Sequence, residues 1–453
     1  MTLQVLLSAA ALAVGGAHVG GDWGRFGYDA ARHNSGPAAT GITAPTLGSL
    51  KRQAVQLDGT VDSSPIYLRG VRGRDLFVVT TTYGRTEAVD ASRGAVVWRY
   101  TPPAYASYAG TAQITNATPV ADPGRKYVYA ASPDGRIQKL SLTTGRPVWS
   151  TAITRDPGHE KLASALNFGN GVVYAATGGY IGDAPPYQGH VVALSPANGR
   201  ILHVWNSLCS NRSGIIQPSS CGSSDSAIWA RSGPVIVPGT GQVLVATGNG
   251  PWNGRTDWGD SVLLLSPTLK LQRNWTPANQ AQLNAGDVDL GSTAPALLSG
   301  GLAVQGGKDG LLRLLRLARL SGRLGATGGE LQTVRLPGPT DLFGAPAVWR
   351  GSWIFVANGA GTQAWRLVGG RLRPAWENGT PGTSPVVAGG LVYVYDLSAG
   401  GLNVYVPTSG RKVATLPSGT GHWQSPIVTD GRIALPEGNA NDHRESGILD
   451  IYR

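Results

Sequence analysis

The side chains able to do chemistry are few, and most lie between residues 183 and 308. They are Asp183, Cys209, Cys221, Trp229, Asn249, Asp287, Asp289 and Lys308. An Asn side-chain carbonyl is a hard oxygen donor suited to a cation such as calcium. An indole offers a flat face for a planar ligand. A carboxylate can take a proton in a reaction, and an ammonium can contact an anion. Each residue also has a plain structural use. Asn249 stands between Gly248 and Gly250, a setting in which Asn is a favoured turn residue. Trp229 would pack between repeats, Lys308-Asp309 reads as a solvated turn, and Asp287 and Asp289 would accept from loop amides. No Gly-x-Ser-x-Gly and no Cys-x-x-Cys-His occurs, and only seven His are present. A hydrolase or lyase is therefore the least supported class.

The elements that must position these residues repeat along the chain. An apolar run, a Gly turn, a second apolar run and a Gly turn leading to Trp recur at Leu76–Trp98 and Tyr127–Trp149. The two Trp stand 51 residues apart, as do Gly94 and Gly145. Units of this kind mean radial or linear repetition. Seven units open on a Pro: Pro65, Pro119, Pro234, Pro295, Pro346, Pro385 and Pro426. An eighth opens at Ser164-Ala165-Leu166 with Ala in its place. Pro belongs at a strand's first residue, where the ladder does not need its N–H. Four strands per unit, eight times over, predict an all-β, eight-bladed β-propeller of four-stranded antiparallel blades. The last unit stops after its third strand, Gly447–Tyr452, while Leu50–Leu57 precedes the first opener unattached. This N-terminal strand is expected to close the ring and so remove an exposed edge. The motif Asp22-Trp23-Gly24-Arg25-Phe26 would cap one face of the disc.

Residues 1–17 read as a signal peptide, with an apolar core from Leu3 to Val14, small residues after it and no positive start. Residues 18–453 are then expected to form one propeller, exported to the periplasm or the exterior. In that oxidising setting Cys209 and Cys221 would form a disulfide. The stretch is short for a membrane span, and no later segment qualifies. The net charge of +11 comes mostly from scattered Arg, without basic runs carrying aromatics. No nucleic-acid partner is expected.

The repeats resemble those of quinoprotein (pyrroloquinoline quinone, PQQ) alcohol dehydrogenases and related exported propellers. The likeness rests on Gly84…Glu87-Ala88-Val89-Asp90…Gly94…Trp98 and on Asp134-Gly135…Leu140…Thr144-Gly145…Trp149. Three stretches are similar to that family's cofactor segments. The resemblance implies that Asn249, in Ala246-Thr247-Gly248-Asn249-Gly250, would bind calcium beside the quinone. It implies that Trp229 would carry the quinone ring and that Lys308 would contact the quinone. It also implies that Asp287, with Asp289 as the alternative, would be the catalytic base. Asp183 and Asp287 would be further metal ligands. The departures weigh against a working centre. The region Gly178-Gly179-Tyr180-Ile181-Gly182-Asp183 has no Glu where the family has a calcium ligand, and the two Cys are not adjacent. The expected function is thus an exported binding scaffold with a degenerate quinone site, serving an unknown protein or envelope ligand. The alternative is a PQQ- and calcium-dependent dehydrogenase oxidising an alcohol or sugar.

Overall fold

The computed structural model describes residues 20–320 and 327–453; the leader expected at 1–17 lies outside them. Eight four-stranded antiparallel sheets form the blades. The innermost strands of seven start at the residue after the opener Pro: Ile66, Val120, Val235, Ala296, Ala347, Val386 and Ile427. In the third blade, where Ala165 replaces Pro, the innermost strand starts at Asn167, two residues after the Ala. A prolyl ring thus fixes where each ladder begins, and its loss shifts the start by one residue.

The eighth blade is completed as expected. Arg52–Leu57 pairs antiparallel with Gly447–Tyr452, with Arg52 opposite Tyr452 and Leu57 opposite Gly447. The closure removes the sheet edge that a ring cut at this point would expose.

The Gly-turn-to-Trp phrase has a packing cause. Trp98, on the outer strand of the first blade, donates from Nε1 to the Leu142 carbonyl of the second at 2.9 Å. Its ring lies against Gly145, where an added Cβ would come within 2.5 Å of Cε3. Gly145 also has φ 68°, so only Gly meets both demands without strain. Trp149 repeats the contact on Pro196 at 3.3 Å, and Trp376 on Pro407 at 2.7 Å. Where the ring closes, Gln53 takes the place of Trp and donates to the Arg93 carbonyl at 2.9 Å, beside Gly94. The period of the sequence is therefore the period of a blade-to-blade dock.

Second strands such as Val243–Ala246 and Leu391–Tyr395 are buried along their whole length. They bury both faces because each blade is covered by its neighbours, which is why they read as continuous apolar runs. The Asp22–Phe26 motif does cover one face. Trp23 exchanges backbone hydrogen bonds with Tyr67, and Ala121 donates to the Gly24 carbonyl. Further along the segment, the carbonyls of Ala30 and His33 accept from Ile236 and Val348. The segment thus ties blades one, two, four and six at the end where first strands turn into second strands. The opposite end is left to the loops that enter the first strands and join second to third.

Candidate functional site

Those loops carry every residue singled out from the sequence, the two Cys included. Trp229 lies just before the fourth blade's innermost strand. Asn249 follows that blade's second strand, Val243–Ala246. Asp287 and Asp289 lie between the short helix Gln280–Ala285 and the turn Leu290–Ser292. Lys308 follows the fifth blade's second strand, Leu302–Gln305. Together with Asp183 they line one axial cavity of about 290 Å³. A more open cavity of about 550 Å³ adjoins it, sharing Phe343, His422 and Trp423.

Lys308 is the hub of one wall. Its Nζ lies 2.6 Å from Asp289 Oδ2 and 3.3 Å from Asp287 Oδ1. The same ammonium stands 5.9 Å from the Trp229 ring centroid. The two aspartates differ sharply, with 6% of the Asp289 side chain exposed against 59% of Asp287. The other oxygen of Asp289 accepts from the Asn249 amide at 2.7 Å. Burial pushes the Asp289 carboxyl above its ordinary value even with Lys308 beside it. Burial alone would lower Lys308, but Asp289 and Asp287 outweigh it and hold its pKa raised. The inward carboxylate is therefore Asp289, the sequence's alternative, and Asp287 sits at the rim.

The donor set does not fit a calcium ion. Calcium takes six to eight oxygens, several of them from free carboxylates. Both Asp289 oxygens are engaged, one by an ammonium and one by a backbone amide. Asp183 accepts from the Tyr187 hydroxyl at 2.7 Å. Among the described residues, the one convergent group of potential metal ligands is Cys209, Cys221 and Asp257. There the two sulfurs are joined in a disulfide, with Cα atoms 6.1 Å apart, so no thiolate is offered. That disulfide is the one the sequence led us to expect.

The sequence reading missed a second group of cavity residues. Asp62 is fully buried, and its Oδ2 accepts from Asn116 Nδ2 at 2.8 Å and His422 Nδ1 at 2.6 Å. Its Oδ1 accepts from the Trp423 amide at 2.8 Å. Arg231 reaches across the channel, donating from Nη2 to the carbonyls of Asp62 at 2.8 Å and Trp423 at 3.2 Å. Trp229, Phe343 and Trp423 form an aromatic run, with successive ring centroids 5.9 and 4.7 Å apart. Position would have found these residues. Asp62, Asn116, Lys161, Arg231, Phe343, His422 and Trp423 all stand three or four residues before the opener Pro, or Ala165 in its place, where the chain enters an innermost strand.

A family model described as outer membrane protein assembly factor BamB matches residues 40–250. The chain is 26% identical over 192 residues to 1-butanol dehydrogenase (cytochrome c) of Thauera butanivorans, covering 40% of this chain and 27% of that protein. It is 26% identical over 260 residues to polyvinylalcohol dehydrogenase of a Pseudomonas species, covering 54% and 38%. A BamB of Legionella pneumophila is 29% identical over 204 residues, covering 43% and 40%. The matched segments thus span well under half the length of these relatives. Among solved structures, the quinohemoprotein alcohol dehydrogenase of Comamonas testosteroni superposes with TM-score 0.70 at 15% identity, covering 95% of this chain and 80% of that one. BamB from Moraxella catarrhalis gives 0.56 at 13% identity, covering 89% and 97%. Its eight closed blades make the chain an eight-bladed β-propeller, and its Gly-turn-to-Trp repeat is similar to that of the PQQ-like proteins.

Proposed function

We propose that the protein is an exported propeller that binds a small ligand in its axial cavity, on a degenerate quinone site that lacks a usable metal centre. The observation that carries this reading is the state of Asp289. Its two oxygens are consumed by Lys308 and the Asn249 amide, so the wall facing Trp229 is a closed polar network and not an open cation site. The cavity itself supports a ligand, being concave, aromatic-walled and edged by a few convergent polar groups. The N-terminal segment covers the far face, so a ligand enters from the loop end. The disulfide supports an oxidising compartment. Relatives named as dehydrogenases and as an assembly factor share the repeat, so the repeat is compatible with either a redox or a binding role.

The test is to add PQQ and calcium to the purified protein and follow dye reduction with 1-butanol and with glucose. The expected result is no calcium-dependent dye reduction. Turnover that requires both PQQ and calcium would overturn the binding reading. The dehydrogenase remains the second reading because Lys308 and Asp289 stand beside the Trp229 ring, and in it Asp289 would take the role of proton acceptor.

A further inference from the structure

The inner end of the cavity carries more positive charge than the protein neutralises. Lys161 and Arg231 line it with only 8% and 6% of their surface exposed. Among the described residues, no hydrogen-bond or ion-pair partner reaches the Lys161 ammonium. Arg231 spends Nη2 on two backbone carbonyls, and its Nε is buried without a partner. The one buried carboxylate here, Asp62, has both oxygens engaged by Asn116, His422 and the Trp423 amide. A buried cation without a paired anion is costly, and proteins retain such groups where a ligand or metal completes them.

We propose that this end of the cavity is an anion subsite, in which a carboxylate or phosphate of a small ligand lies between Lys161 and Arg231. Both anions offer oxygens to two donors at once, which suits a guanidinium and an ammonium that line one cavity. The rest of such a ligand would lie along Trp229, Phe343 and Trp423, whose rings form the adjoining wall. The electrostatics agree. Burial lowers Lys161 to about 8 and Arg231 to about 10, with Asp62 offsetting only part of the effect. The subsite rests on the small-ligand reading above and adds to it the charge that the ligand carries.

Three probes test it by calorimetry and thermal unfolding of the full chain: inorganic phosphate, benzoate and benzyl alcohol. Benzoate and benzyl alcohol share a ring and differ in charge. The expected result is that benzoate or phosphate binds, and that benzoate binds more tightly than benzyl alcohol. Whether phosphate or benzoate is the tighter of the two identifies the anion class. Lys161→Met should raise the melting temperature of the unliganded protein and weaken the bound anion by about ten- to hundredfold, the range of a charge-assisted hydrogen bond. Arg231→Gln is the second variant, with the same loss of binding expected. Equal affinity for benzoate and benzyl alcohol, or anion binding untouched in both variants, would overturn the subsite and leave the small-ligand reading standing. If none of the three binds, both fall.

Discussion

Lys308 Nζ sits 2.6 Å from Asp289 Oδ2 and 3.3 Å from Asp287 Oδ1, yet the two contacts are energetically unlike. Asp289 is enclosed, and Asp287 is more than half exposed and screened by water. Asp289→Asn leaves one neutral carbonyl oxygen where the carboxylate offered two, so Lys308 and the Asn249 amide can no longer both be served. We expect a loss of about 3 kcal/mol, the range for breaking a buried pair. Asp287→Asn should stay within about 0.5 kcal/mol, as for other exposed positions. Urea unfolding of the two variants checks this, and equal losses would show that the wall is not organised around Asp289.

Asp260 holds the two halves of that wall together. It accepts from the Leu290 amide at 3.0 Å, and its own amide donates to Gly248. It is fully buried, and burial raises its carboxyl to about 8, with nearby Asp289 adding to the rise. The folded state then keeps a proton that the unfolded chain releases near pH 4. Stability should fall as pH rises from about 4 to 8, by roughly 1 kcal/mol per pH unit. Asp260→Asn removes the titration, and Asn tolerates the φ of 48° at this site. The variant should gain on the parent between pH 5 and pH 8 in urea midpoints. Parallel pH profiles for the two proteins would refute this account.

The disulfide clamps the loop that leads to Trp229 and the cavity. Cys209 and Cys221 are 12 residues apart, and the Ser226 amide beyond them donates to the Asn249 carbonyl at 2.6 Å. Reducing the bond frees a short loop, with an expected cost of up to about 3 kcal/mol. The double change Cys209→Ser with Cys221→Ser should give the same loss without reductant. Hydrogen exchange should quicken at the Ser226 amide before it does in the blade cores. Uniform quickening would mean that the loop is not an independent unit.

The propeller was legible because each blade repeats the same local solution. Pro at the strand start, Gly at the dock and Trp above it are single-residue demands, so counting them counts blades. The third blade shows the limit, since Ala165 fits the pattern but does not fix the strand start at the same offset. The wall of Trp229, Asn249, Asp289 and Lys308 was legible through short segments of likeness. Which of Asp287 and Asp289 faces inward was not, because two residues of irregular loop carry no periodicity to read. Asp62, Lys161, Arg231 and His422 were invisible for another reason. They come from four different blades, and only closure of the ring brings them together.

That closure makes the last prediction. Arg52, on the N-terminal strand, lies 2.8 Å from Asp450 Oδ1 and 2.8 Å from Glu437 Oε1 on the C-terminal strands. One guanidinium thus holds two carboxylates apart from full repulsion. Burial raises Asp450 to about 7, with Glu437 adding to the rise and Arg52 opposing it. A raised carboxyl contributes least against folding when protonated, so the closure is strongest at low pH and weakens as pH rises from about 4 to 7. Arg52→Met removes the only opposing charge in that set while keeping an apolar stem of similar length. It should cost about 3 kcal/mol at pH 8, where Asp450 is ionised, and much less at pH 5, where Asp450 keeps its proton. Thermal unfolding at the two pH values checks this. A loss of the same size at both would mean that Arg52 acts through packing and backbone pairing, and that the ring is held by the Arg52–Leu57 ladder without help from charge.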